Sequence, residues 1–121
     1  MAVIKIKNLK LKTIIGILDP ERVKKQDIVI NIKIKFDETK AVLSENIADT
    51  VNYKELEDRI REKVEASSFL LLEKLVHYVL DLVMEDKRIC KAVVKIDKIE
   101  AMDYSESVSV KCSRKRKHHS F

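Results

Sequence analysis

Four side chains that could move protons or hold a polar ligand stand at the ends of elements: Glu21, Tyr53, Glu73 and Lys98. Lys98 follows Ala92, Val94 and Ile96 at two-residue steps, so it continues the inward parity of a strand. A lysine carried inward loses solvation, and burial lowers its pKa toward the value a general acid or base needs. Glu73 stands beside Leu71 and Leu72 near the start of an apolar helical stretch. The helix dipole favours a carboxylate there, which is a sufficient structural use. The functional use is a planar, two-oxygen acceptor for a ligand with adjacent N–H donors. Glu21 follows the Asp19-Pro20 turn and Tyr53 opens a helix. Taken singly, each of these residues has an ordinary structural use.

Other chemistries find less support. Gly16 is the single glycine in 121 residues, which rules out a Gly-rich phosphate loop and leaves side chains or helix ends to hold any phosphate. His77 lies on a helix away from His118 and His119, and Cys90 and Cys112 lack metal-type spacing. A zinc or di-iron site is therefore not expected, and both cysteines read as reduced thiols. No Ser-His-Asp or Cys-His arrangement stands out. No apolar run approaches the ~18–20 residues of a membrane span, and Met-Ala-Val-Ile-Lys-Ile-Lys alternates as a strand does rather than as a signal peptide. A cytoplasmic protein without a membrane partner is expected. The net charge is +5, of which Arg114, Lys115, Arg116 and Lys117 carry four. The body is nearly neutral, so no nucleic-acid partner is expected, although a basic tail at 114–121 can touch any polyanion weakly.

Six elements must position these residues. Residues 4–17 alternate, and the apolar parity switches near Lys7-Asn8, which predicts a bulge or a bend in a long first strand. Ile28, Ile30, Ile32, Ile34 and Phe36 mark the second strand over 26–36. The segment 37–51 is a polar connection with a short helical piece at 41–43. Asn52 and Glu55 form a capping-box pattern that opens a helix running to about Ala66. Leu72, Leu75, Val76, Val79, Leu80 and Val83 form the apolar stripe of a second helix over 69–84. A third strand carries Ala92 to Lys98, residues 99–104 connect, and Val108, Val110 and Cys112 mark the fourth. The order ββααββ predicts an α+β domain over 1–113, a four-stranded antiparallel sheet with two helices on one face. The other face carries Lys33, Lys35, Lys95 and Lys111; it is either solvated or open to oligomerisation.

Several blocks, in their order and spacing, resemble a known family along residues 3–113. They are Ile6-Lys-Asn-Leu-Lys-Leu-Lys-Thr-Ile-Ile-Gly-Ile17, Gln26-Asp-Ile-Val-Ile-Asn31, Val51-Asn-Tyr53, Leu71-Leu-Glu-Lys-Leu75, Ile96-Asp-Lys98 and Asp103-Tyr-Ser-Glu-Ser-Val-Ser109. The chain looks like a member of the dihydroneopterin aldolase family, on its dihydroneopterin triphosphate 2′-epimerase branch. The resemblance implies the tunnelling fold (T-fold), in which four sheets close into a barrel and two rings stack into a homo-octamer with active sites between subunits. It implies that Glu73 anchors a pterin through its 2-amino and N3 hydrogens, with Leu72, Val51 and Asn52 also binding substrate. Lys98 would be the general acid/base at the side-chain hydroxyl. Tyr53 from a neighbouring subunit would help move protons, and Glu21 would stand near the substrate side chain. No metal, no cofactor and no Schiff base are implied, because the dihydropterin ring itself takes up the electrons of C–C cleavage.

Two departures separate the branches. Aldolases of the family commonly have Tyr-His-Gly where this chain has Ile14-Ile15-Gly16, and a proline-rich loop where it has Ile99-Glu-Ala-Met-Asp-Tyr104. Both match the epimerases. An epimerase must retain its two-carbon fragment, and a bound triphosphate would help; Arg22, Lys24 and Lys25 are candidate contacts, set against the plain reading of a solvated charge run. Asp103 stands where the epimerases tend to have arginine, which takes support from a phosphate role for that loop. The activity implied is inversion of C2′ of 7,8-dihydroneopterin triphosphate to the dihydromonapterin form. The alternatives are a 7,8-dihydroneopterin aldolase of folate synthesis and a non-catalytic pterin-binding protein.

Overall fold

Alternation of β-branched residues with lysine sets up the sheet, and two amphipathic helices cover one face of it. The computed structural model describes residues 1–99 and 103–117. The middle of the 99–104 connection and the tail residues 118–121 lie outside them. The elements are β1 (Ala2–Ile15), α1 (Asp19–Val23), β2 (Gln26–Phe36), α2 (Thr39–Ser44), a 3-10 turn (Ile47–Asp49), α3 (Tyr53–Glu65), β3 (Ser68–Phe69), α4 (Leu72–Met84), β4 (Ile89–Lys98) and β5 (Val108–Lys115). The sheet order is β3-β1-β2-β4-β5. The four long strands pair antiparallel and β3 pairs parallel with β1.

The α+β arrangement agrees with the sequence pattern, but the sheet has five strands rather than four. Ser68 and Phe69 align with Ile14 and Ile15, and the Gly16 amide donates to the Phe69 carbonyl at 3.2 Å. Helical periodicity extended the second helix back to Phe69. The sheet hydrogen bonds hold that residue extended instead, so α4 begins at Leu72. A short helix, α1, appears after Leu18 where a turn was expected, and the helical piece expected at 41–43 is α2, which is longer and is capped by Glu45 at φ +52°.

The core lies between the helices and one sheet face. Ile28, Ile30, Ile32, Ile34 and Phe36 are buried there against Leu56, Ile60 and Val64 of α3 and the Leu72–Val83 stripe of α4. Helix α3 packs on β1, whereas α4 packs on β4 and β5. The parity switch in β1 is a register shift between Ile6 and Leu9, and Asn8 takes φ +53°. Asparagine tolerates that conformation. Here its amide N–H donates to Asn31 Oδ1 at 2.9 Å while Asn31 Nδ2 donates back to Asn8 Oδ1 at 3.3 Å. Arg114 and Lys115 belong to β5, paired opposite Ala92 and Lys91. Arg116 donates to the carbonyls of Met84, Asp86 and Ile89, which ties the chain to the end of α4.

Thr13 is a fully buried polar residue. Its hydroxyl donates to the Val64 carbonyl at 2.8 Å, next to Ser67, and so fastens β1 to the last turn of α3. Thr13→Val keeps the shape and removes the donor, and should cost about 1–2 kcal/mol. A urea-unfolding midpoint measures it; an unchanged midpoint would mean the fastening contributes nothing.

Candidate active site: an acid–base pair at one end of the sheet

Glu21 and Lys98 are 77 residues apart in sequence and meet at one end of the sheet, where Lys98 Nζ stands 2.6 Å from Glu21 Oε2. Each side chain is largely buried, with 12% of Lys98 and 16% of Glu21 exposed. The end of β4 lies opposite Ile28 at the start of β2, while α1 hangs from the end of β1. Register therefore brings the two residues together. Strand parity pointed to desolvation of Lys98; the structure adds a counter-ion.

The Glu21 carboxylate accepts three hydrogen bonds and packs against a fourth neighbour, Gly16. Oε1 accepts from the Leu18 amide at 3.1 Å, and Oε2 accepts from Gln26 Nε2 at 3.0 Å as well as from Lys98. The hydrogen bond from Lys98 is the main reason its pKa lies below the usual 4.5. Burial opposes that shift, and Gln26, the Leu18 amide and the charge of Lys98 add to it. Gln26 also donates to the Ile15 carbonyl at 2.7 Å, so it orients the carboxylate from the end of β1. The fourth contact is with Gly16. This residue has φ +126°, and a Cβ there would stand inside the Glu21 carboxylate. The chain's single glycine is thus required twice, for its backbone angle and for the space it leaves.

Arg22 faces the other way from Glu21. It donates to the carbonyls of Gly16 at 3.1 Å and Phe69 at 2.9 Å and to Ser68 Oγ at 2.8 Å, clamping β3 to the end of β1. Lys24 and Lys25 are exposed and, with Lys12 and Glu21, line a cleft of about 340 Å³. Glu73 is exposed in the first turn of α4, and Leu72 beside it is buried. Because α4 follows β3 closely, Glu73 emerges at the same end of the sheet as the Glu21–Lys98 pair.

Tyr53, Asn52 and Val51 do not join them. Asn52 caps α3, its side chain accepting from the Glu55 amide at 3.1 Å; Val51 is buried and Tyr53 is 62% exposed. The other end of α3 is the one bound to Thr13, and a helix of this length spans roughly 20 Å. Asn52 instead lines a cleft with Glu85, Asp86 and Arg88, just before β4 begins. Nine strand steps of about 3.3 Å each separate Ile89 from Lys98, the two ends of β4. The candidate residues therefore fall at opposite ends of one chain.

Gln26 and Gly16 were not singled out as site residues. Gly16 carried a signal, as the only glycine; Gln26 carried none, since its role depends on the register of β2 against β1. Among the described residues, no three of His, Cys, Asp and Glu converge as a metal ion would need.

A largely buried Glu–Lys pair at one end of an antiparallel sheet, with two helices over one face, places the chain among small α+β domains. Its residues 4–113 match the FolB, dihydroneopterin aldolase, family, and the chain belongs to that family. It is 45% identical over 115 residues to the dihydroneopterin triphosphate 2′-epimerase of Escherichia coli (strain K12), covering 95% of this chain and 96% of that protein. The Pseudomonas aeruginosa protein of the same name is 40% identical, covering 91% of this chain and 89% of its own length. Among solved structures, E. coli dihydroneopterin aldolase in complex with neopterin superposes with a TM-score of 0.87 at 27% identity, covering 94% of this chain and 99% of that one.

The lowered pKa of Glu21 gives a pH signature. Its folded value lies below its unfolded one, so the stability it contributes is complete above about pH 4.5 and is lost as pH falls through the folded value. The stability difference between the wild type and Glu21→Gln should be flat from neutral pH down to that region and then narrow on further acidification, read by urea unfolding at each pH. A difference that does not change with pH would show that the carboxylate charge is not what holds Lys98. Gly16→Ala should displace Glu21 and lower stability, whereas alanine at most exposed positions changes little; thermal unfolding checks it.

Proposed function

We infer that this protein is a dihydroneopterin triphosphate 2′-epimerase, an enzyme that inverts C2′ of 7,8-dihydroneopterin triphosphate to give the dihydromonapterin form. The reading is supported by the similarity to proteins of that name along almost the whole chain. The observation that carries its chemistry is the Glu21–Lys98 contact at 2.6 Å.

A retro-aldol step fits the pair. A base takes the proton of the C2′ hydroxyl, the C1′–C2′ bond breaks, and its electrons pass into the dihydropterin ring, leaving C2′ as an aldehyde carbon. If the aldehyde turns before the bond re-forms, addition occurs on its other face and C2′ is inverted. Lys98 is assigned the proton transfer at that hydroxyl: having first released a proton to solvent, its neutral amine takes the hydroxyl proton, and Glu21 sets its position and balances the charge of the ammonium that forms. Glu73 is assigned the pterin, since two carboxylate oxygens match two adjacent N–H donors. Leu72 at its side supplies apolar contact.

Tyr53, Asn52 and Val51 are assigned to the same site from a neighbouring subunit. Two observations support a shared site. These residues lie at the far end of the chain from Lys98. Also, Ile17, Leu18, Val23, Leu70 and Leu71 leave an exposed apolar fringe beside the Glu21–Lys98 end, of the kind a second copy covers. A barrel of four sheets, stacked in pairs as an octamer in the cytoplasm, would satisfy both. Lys24 and Lys25 are assigned the triphosphate; the donors of Arg22 already serve β3.

Aldolase activity is the second reading, favoured by the shared retro-aldol step and by the likeness to the E. coli aldolase. Products formed from dihydroneopterin and from its triphosphate separate the two. 7,8-Dihydromonapterin triphosphate identifies the epimerase, whereas 6-hydroxymethyl-dihydropterin with glycolaldehyde identifies the aldolase. No product from either, with pterin bound, would leave a binding protein.

Lys98→Ala should reduce kcat by at least about a hundredfold, the usual scale for a lost general acid/base, with pterin affinity largely kept; full activity would remove Lys98 from the mechanism. Glu73→Gln should weaken pterin binding by about tenfold, because an acceptor becomes a donor facing a donor. Fluorescence titration of a bound pterin measures it, and an unchanged Kd would leave Glu73 a helix-end charge. Mixed, refolded Lys98→Ala and Tyr53→Ala chains should regain part of the activity that each alone lacks. No recovery would place the whole site within one chain.

A further inference from the structure

The uncovered face of the sheet is an array of lysines that oppose one another across strands. The register pairs Lys5 with Lys33, Lys35 with Lys91, Lys91 with Lys115 and Lys95 with Lys111. All are exposed. Like charges directly opposite in a sheet are destabilising, and here four such pairs lie within one patch. Asp97, 4.0 Å from Lys95, is the one carboxylate in ion-pair contact with these lysines among the described residues. Lys5, Lys33, Lys95 and Lys111 rim a depression of about 350 Å³ that includes Asn31 and Val93.

We propose that this face binds a short linear polyphosphate anion, seated across β1, β2, β4 and β5. Strands stand about 4.8 Å apart and alternate residues about 6.7 Å apart along each, so three or four ammonium groups can reach one anion of several phosphates. A phosphate chain placed there converts cross-strand repulsion into charge-assisted contacts. The composition of the face selects against nucleic acid. Its cations are lysines, acting as point charges, and neither an arginine nor an aromatic ring for base stacking shares these register positions. The site is built within one chain, lies on the sheet face away from the helices, and uses none of the residues assigned to pterin chemistry.

Inorganic tripolyphosphate is the probe, added to the full-length protein at low salt. It should raise the melting temperature and bind in calorimetry, with affinity falling as salt rises. The triple variant Lys33→Gln/Lys95→Gln/Lys111→Gln should bind it about tenfold more weakly or worse and, without anion, should melt higher than the wild type because two of the four repulsive pairs are gone. A control variant, Lys63→Gln/Lys74→Gln/Lys87→Gln, carries the same charge change on exposed positions off this face and should bind as the wild type does. Equal loss in both variants would reduce the effect to net charge and overturn the proposal, as would no response of the wild type. Tighter binding of a DNA duplex, displacing tripolyphosphate, would overturn it in favour of nucleic acid.

Discussion

The contact between Glu21 and Lys98 depends on what position 16 lacks. Any side chain there would occupy the volume of the Glu21 carboxylate, and α1 could not fold back to place that carboxylate against the end of β4. The Gly16 backbone is engaged on both sides: its amide donates to Phe69 and its carbonyl accepts from Arg22. One residue without a side chain thus joins β1, α1, β3 and, through Glu21, β4. A largely buried ion pair is weak evidence of stabilisation, since desolvation offsets most of the attraction. Gln26 and a backbone amide nonetheless hold the carboxylate in one position against Lys98.

Geometry separates the remaining candidates by the length of a helix. Thr13 fixes the C-terminal end of α3 near the Glu21–Lys98 end of the sheet, and the helix then carries Tyr53 away to the other. No rotamer of Tyr53 spans that distance. A single chain therefore offers two partial surfaces, one with the Glu21–Lys98 pair beside exposed apolar residues, the other with a tyrosine and an asparagine cap. An assembly that apposes opposite ends of two chains would unite them.

The open sheet face shows the other side of the same sequence pattern. Alternating isoleucine with lysine buries the apolar parity completely, as Ile28, Ile30, Ile32 and Ile34 show. The same alternation delivers Lys33, Lys35, Lys91, Lys95 and Lys111 to the opposite face, and antiparallel register then sets lysine against lysine. Solubility alone would be served as well by mixed charges. The concentration of one sign gives this surface a character that the nearly neutral body did not suggest.

Much of the fold was legible because it rests on local periodicity. The alternation in β2, the parity switch at Asn8, the capping residue Asn52 and the apolar stripe of α4 are all set within a few residues of sequence. So was the inward position of Lys98, by strand parity. Ser68-Phe69 was not legible as a strand: two residues carry no period, and their extended form comes from hydrogen bonds to β1. Nor was the use of Arg22, whose charge suggested a phosphate contact while its three acceptors lie on Gly16, Ser68 and Phe69. The residue types that could do chemistry were fixed by the sequence itself. Which of them stand within 3 Å of each other was decided only when strand register and helix length closed the distances between residues far apart in the chain.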